Sequence, residues 1–338
     1  MEPIWARLIM VMVVALSSHQ MLLTESIGVG VNYGLNGNNL PPPAEVVNFL
    51  KTKGISRIRI FEPYPEVLSA LRGSDIYVSV GTRNEDMANI ASSLEAALFW
   101  INTHILPYYD EVNIIWITVG NEVIPGSDAQ YVLPAIKNLY AALAAVGLRN
   151  VIVTTVVAGT VLGSSYPPSE AVFTNYNMVD VVNYLYTEKK PLMINVYPYF
   201  ALTSDPAHIT LDFALFNSKE PGFVDEKVGL AYYNLFDAIF DAFLVAIAKA
   251  VGNENHGMQI IVSESGWPSA GGDFATVENA RTYNNNLKMH AMGKGTPRYQ
   301  NSFDVYLFAL FNENLKTLGV EQNFGNFYPN MEPVYPLW

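Results

Sequence analysis

An α/β fold is predicted, a single (β/α)8 TIM barrel with a small excursion after the sixth strand. Three features predict it. Short apolar, β-branched runs alternate eight times with helix-periodic stretches along the 338 residues. Glycine and proline punctuate the junctions, as expected where strands and helices follow one another closely. No G-x-G-x-x-G loop follows the first strand, which removes the main argument for a doubly wound open sheet.

The elements follow in order. Residues 27–33 form an apolar, glycine-containing strand, closed by Gly34 and a turn-rich Asn-Gly stretch. Three prolines, Pro41 to Pro43, open a helix over 44–53 that Gly54 ends. A strand over 55–61, a short helix over 65–71 and a third strand over 75–81 come next. A helix over 92–105 places Leu94, Ala97, Leu98 and Ile101 on one face at offsets of three and four. The fourth strand spans 112–120, an amphipathic helix 129–145 and the fifth strand 151–157. A helix over 177–186 leads to the sixth strand, 192–197. Residues 199–222 read as a long irregular excursion, a lid or subdomain on one face. A helix over 232–251, a strand over 258–263, a helix over 277–292 and a final strand over 304–311 complete the alternation.

Composition narrows the possible functions. Half of the residues are hydrophobic and 15% are charged, which favours one large core and opposes disorder. A net charge of −12 with no basic block opposes nucleic acid as a partner. There is no cysteine, so stability must come from burial rather than disulfides.

Residues 1–26 read as a signal peptide, leaving 27–338 as the catalytic barrel. Arg7 precedes an apolar run over 8–16 that is too short to span a bilayer comfortably. Thr24 and Ser26 stand at the −3 and −1 positions for cleavage before Ile27, with cleavage near Ser17 or Ser18, or an uncleaved anchor, as alternatives. Secretion is therefore expected, with no stable membrane association after cleavage. The pI near 4.8 suits the apoplast better than the vacuole. No Asn-x-Ser/Thr sequon occurs, and the chain shows no hydrophobic tail of the GPI-anchor type.

The chemistry concentrates at strand ends, where a barrel of this class places its active site. Glu264 follows the apolar run 258–263 and is succeeded by Ser265-Gly-Trp-Pro268, a costly place for a charge unless it is used or paired. Glu122 closes the fourth strand after Thr118-Val-Gly-Asn121. Strands four and seven can face each other across a barrel mouth, and two carboxylates flanking one cleft is what glycoside hydrolysis requires. The alternative for either glutamate alone is a buried, paired structural carboxylate.

These motifs are ordered like those of a known family. Ile260-Ile-Val-Ser-Glu-Ser-Gly-Trp-Pro-Ser-Ala-Gly271 resembles the signature of glycoside hydrolase family 17, the plant β-1,3-glucanases. Val31-Asn-Tyr-Gly34, Gly37-Asn-Asn-Leu-Pro41, Val119-Gly-Asn-Glu-Val123, Asn195-Val-Tyr-Pro-Tyr-Phe200 and Asn234-Leu-Phe-Asp-Ala238 resemble further family motifs. So do Tyr306-Leu-Phe-Ala-Leu-Phe-Asn-Glu-Asn-Leu-Lys316 and Phe324-Gly-Asn-Phe327. The resemblance covers residue 27 to about residue 336.

The resemblance implies a retaining endo-hydrolase of β-1,3-glucan that uses neither a metal nor an organic cofactor; a monomer is expected. It implies Glu264 as the nucleophile and Glu122 as the acid/base. Glu313, Lys316 and Glu321 match a charged cluster beside the catalytic pair, for which a surface ion-pair network is the alternative. Asn121 matches an amide that contacts the sugar 2-hydroxyl and the nucleophile. Tyr197 closes the sixth strand within reach of the nucleophile. Tyr33, Phe61, Phe200, Phe311 and Phe324 are candidate sugar-stacking platforms, or else core. Phe61-Glu62 departs from the family's Tyr-Asp pattern, which would remove one phenol hydroxyl and keep the stacking face. A mixed-linkage β-1,3-1,4-glucanase and a non-catalytic glucan-binding protein on the same fold remain the alternatives.

Overall fold

The computed structural model describes residues 28–338. The expected signal peptide, residues 1–26, and its expected cleavage site lie outside the described residues. Eight parallel strands close a barrel: β1 (Val29–Asn32), β2 (Arg57–Ile60), β3 (Tyr77–Gly81), β4 (Asn113–Asn121), β5 (Ile152–Val157), β6 (Leu192–Asn195), β7 (Ile260–Ser265) and β8 (Val305–Leu307). Each strand pairs with its neighbour in sequence, and β1 pairs with β8 to close the ring. The predicted (β/α)8 barrel is therefore the observed fold.

Alternation along β2 shows how the strands divide their faces. Ile58 and Ile60 join the large core between barrel and helices, while Arg57 and Arg59 occupy the opposite face. A second, smaller cluster of Trp116, Val156, Met193, Ile261 and Tyr306, drawn from β4 to β8, plugs the interior. The barrel is thus filled, and a cleft can open only at its mouth.

Helix ends explain several boundaries. Pro43 starts its helix at the first position, where its missing N–H costs nothing. The helix predicted over 92–105 is two helices, Met87–Ser92 and Leu94–His104. The break falls at Ser93, whose extended backbone lets its hydroxyl oxygen accept from the Ala96 N–H. The 199–222 excursion is more ordered than expected. Helices Pro198–Ser204 and Leu211–Ala214 occupy it, and a hairpin of Phe223–Asp225 with Leu230–Tyr232 follows. The following helix consequently starts at Leu235, capped by Asn234, rather than at residue 232.

The barrel strands are shorter or shifted relative to expectation. β6 stops at Asn195 and β8 at Leu307, after which the chain turns to line the mouth. β7 runs two residues further than predicted, so Glu264 lies inside the strand. Trp267, just beyond it, is fully buried against Tyr199 and Tyr283, and its indole N–H donates to the Phe274 carbonyl at 3.0 Å. Its role is to brace the loop.

Candidate active site

A cleft of about 710 Å³ opens at the C-terminal ends of the strands, with Asn121, Glu122, Asn195, Tyr197 and Glu264 among its lining residues. Both candidate carboxylates reach it through irregularities in the sheet. Against β6, Val262 pairs with Ile194 and Glu264 with Asn195, so β7 carries one extra residue, Ser263. Such a bulge re-aims the side chains beside it. On β4 the register slips between Thr118 and Asn121 relative to β5. Gly120 sits there at φ 68° and Glu122 follows at φ 56°, a left-handed conformation that a non-glycine residue adopts at some cost.

Glu264 is buried and doubly held. One carboxylate oxygen accepts from Arg59 Nη1 at 2.6 Å, the other from the Tyr197 hydroxyl at 2.8 Å. Arg59 is almost completely buried on the inner face of β2 and spreads its guanidinium over three partners. Besides Glu264 it donates to Asn32 Oδ1 at 3.1 Å and to Asn121 Oδ1 at 2.8 Å. That last bond engages the Asn121 carbonyl and leaves its NH2 as the end able to donate into the cleft. The Phe61 ring lies 4.6 Å from the guanidinium carbon. Tyr197 is held neutral, its hydroxyl raised far above the usual phenol value by burial and by the Glu264 charge.

Glu122 differs. Its side chain is open to the cleft, yet the surrounding protein removes enough water to raise its carboxyl above the ordinary glutamate value. A hydrogen bond from Asn195 Nδ2, 2.6 Å from Oε1, works against that rise, and the Glu264 charge adds to it. Desolvation is the largest contribution, and it grows as a ligand fills the cleft.

The charged cluster is partly assembled. Lys316 Nζ lies 3.3 Å from Glu313 Oε2 and 4.2 Å from the centre of the Phe308 ring. Glu313 is buried and accepts from the Asn36 N–H at 2.7 Å, so this is not a surface network. Gly34 allows it, since a Cβ there would sit 2.4 Å from a Glu313 oxygen. Glu321 lines the cleft with them, and its charge adds to the rise at Glu122.

The aromatic candidates separate into two groups. Phe61, Phe200 and Phe324 line the cleft, with Phe200 the most open at 41% exposure. Tyr33 and Phe311 do not line it. They are buried edge to face, and Phe311 also stacks on Phe49, so both belong to the core. Strand-end position suggested platforms, but the chain turns after Asn32 and Leu307 carry these rings outward. Sequence reading missed Arg59, Asn32, Asn195 and Ser263. Arg59 had a signal, a charge between two isoleucines in an apolar strand, which is the same signal that identified Glu264.

Comparison with known proteins agrees with this geometry. The profile described as Glycosyl hydrolases family 17 matches residues 29–337. A Hordeum vulgare protein described as a putative glucan endo-1,3-beta-glucosidase GVI is 48% identical over 313 residues, covering 91% of this chain and 96% of the relative. The Arabidopsis thaliana probable glucan endo-1,3-beta-glucosidase BG4 is 48% identical over 330 residues, covering 95% and 94%. A solved structure from a study of two plant beta-glucan endohydrolases with distinct substrate specificities superposes with a TM-score of 0.86 at 42% identity, covering 91% of this chain and 99% of that one. With barrel, cleft and sequence in agreement, this chain is a glycoside hydrolase and belongs to glycosyl hydrolases family 17.

Proposed function

We propose that this protein is a secreted retaining endo-hydrolase of β-1,3-glucan, with Glu264 as nucleophile and Glu122 as acid/base. The asymmetry between the two carboxyl groups supports the reading best. Glu264 accepts from a guanidinium and a phenol, an environment for an ionised carboxylate, whereas desolvation favours the neutral form of Glu122. One cleft thus offers a nucleophile and a proton donor.

In the first step the Glu122 carboxyl protonates the glycosidic oxygen while a Glu264 oxygen attacks the anomeric carbon. The bond to the leaving sugar breaks and a glycosyl-enzyme ester forms. Glu122, now ionised, takes a proton from water, which attacks the same carbon and releases Glu264. Arg59 and Tyr197 receive the Glu264 carboxylate again as it leaves the sugar. The NH2 of Asn121, directed by Arg59, is suited to the sugar 2-hydroxyl, where hydrogen bonds strengthen in the transition state. The β-1,3 linkage rests on the named relatives and the motif match. Secretion rests on the 1–26 leader, and recovery of a mature protein beginning at Ile27 would test it.

Glu264→Ala and Glu122→Ala should each reduce release of reducing ends from β-1,3-glucan by on the order of 10³-fold or more while leaving the fold intact. Normal activity in a folded Glu264→Ala protein refutes the assignment. Proton NMR of the first-formed product should show the β anomer, and an α product would mean inversion. Parallel digestion of mixed-linkage glucan distinguishes the two linkage preferences.

A further inference from the structure

We propose that Ser263 and Asn195 form a positioning relay for Glu122, through which the strand bearing Glu264 sets the orientation of the acid/base carboxyl. The relay rests on the reading of Glu122 as proton donor. Ser263 is the extra residue of the β7 bulge, and its Oγ–H donates to Asn195 Oδ1 at 2.8 Å. That bond decides which way the Asn195 amide faces. With its carbonyl engaged by Ser263, its NH2 is the end that meets Glu122 Oε1, at 2.6 Å. The flipped amide would place a carbonyl against a carboxylate and an NH2 against a hydroxyl. Ser263 and Asn195 are both buried, so water does not readily replace a lost partner.

The relay has a fixed anchor. The Ser263 peptide carbonyl accepts from Asn32 Nδ2 at 3.1 Å, and Asn32 Oδ1 accepts in turn from Arg59 Nη1. Arg59 holds Glu264, so a continuous path runs Glu122–Asn195–Ser263–Asn32–Arg59–Glu264. By occupying Oε1, Asn195 leaves Oε2 as the oxygen that carries the proton towards the leaving group. Asn195 also favours the ionised form that Glu122 must adopt for the second step. Neither Asn195 nor Ser263 contacts the reacting atoms in this scheme. Both are positioning residues.

The test measures kcat/KM against pH for Asn195→Ala, Ser263→Ala and Ser263→Thr on β-1,3-glucan and on a dinitrophenyl laminaribioside, whose leaving group needs little acid assistance. Loss of the donor should move the alkaline limb to higher pH in Asn195→Ala, and by less in Ser263→Ala. Ser263→Thr, which keeps the hydroxyl, should restore the wild-type limb. Asn195→Ala should lose at least about tenfold more on glucan than on the aryl substrate. Limbs that coincide with wild type, or equal losses on both substrates, would overturn the relay. If Asn195→Ala does not fold, Ser263→Ala alone decides, because it deletes a single oxygen. Glu122→Gln separates the two possible failures. If it keeps the alkaline limb, the acid/base assignment is wrong; if it abolishes the limb while both alanine variants leave it unmoved, only the relay is wrong.

Discussion

Arg59 shows how much of this site depends on one buried cation. Its guanidinium meets Glu264, Asn121 and Asn32 together, a three-way grip that suits a planar fork and not a point charge. Arg59→Met should leave Glu264 buried without its cation, at a cost of about 3–5 kcal/mol in stability and on the order of 100-fold or more in kcat/KM. Arg59→Lys keeps the charge but not the bond to Asn121, so an intermediate loss is expected. Equal kinetics for Arg59→Lys and wild type would contradict the three-way grip. As the acid/base of the proposed function, Glu122 should set the alkaline limb of the pH profile. A raised carboxyl keeps its proton to higher pH, and activity falls as pH rises through that value, so the alkaline limb should lie above the ordinary glutamate range. A limb at or below that range in a rate-against-pH measurement would contradict the reading.

At the scale of elements, two strand irregularities lie where Glu122 and Glu264 enter the cleft. A regular β4 and β7 would send alternate side chains to opposite faces, and slipping by one residue exchanges those faces. On β4, Gly120 has little tolerance for a side chain. It lies at φ 68°, and an added Cβ would sit 2.6 Å from Met87 Sδ and 2.7 Å from Val123 Cγ2. Gly120→Ala should therefore cost about 1–2 kcal/mol from the backbone conformation alone, with crowding added. It should also displace Glu122, lowering kcat more than it raises KM. Thermal melting and steady-state kinetics together check this, and an unchanged kcat would show that the β4 slip is not needed for catalysis. Trp267 is the matching feature after β7. Trp267→Ala should cost about 3–5 kcal/mol, as expected for a large buried side chain, with an accompanying loss of activity as the loop after β7 relaxes.

The whole molecule also carries a buried acid with no part in the proposed mechanism. Asp241 lies in the helix Leu235–Val251 and accepts from the Tyr232 hydroxyl, the Thr296 hydroxyl and the Arg298 N–H. Burial pushes its carboxyl up from 3.8 to about 7. In that window the unfolded chain releases the proton and the folded chain keeps it. Stability is full below pH 4, declines as pH rises towards 7, and is level above. The total is at most about 4 kcal/mol, at roughly 1.4 kcal/mol per pKa unit. Between pH 4 and 7, wild type should lose stability in denaturant unfolding relative to Asp241→Asn, and a difference that stays constant or runs the other way would contradict the direction. Among the described residues no helix is long and apolar enough to cross a membrane.

The barrel is legible in the residue pattern, because eight apolar runs separated by amphipathic helices leave few other ways to bury their faces. The sequence also located Glu122 and Glu264, since a carboxylate at the end of an apolar strand is visible as a pattern. The same rule applied to Ile58-Arg59-Ile60 would have found the cation as well. Which polar groups meet is settled by the folded chain. Asn195 reaches Glu122, Ser263 reaches Asn195 and Arg59 reaches Glu264 across long stretches of chain, through bulges that no local periodicity encodes. Tyr33 and Phe311 went to the core for the same reason. Whether a ring beyond a strand end faces sugar or packing depends on how the next few residues turn, and that is set by what the neighbouring strands and helices leave room for.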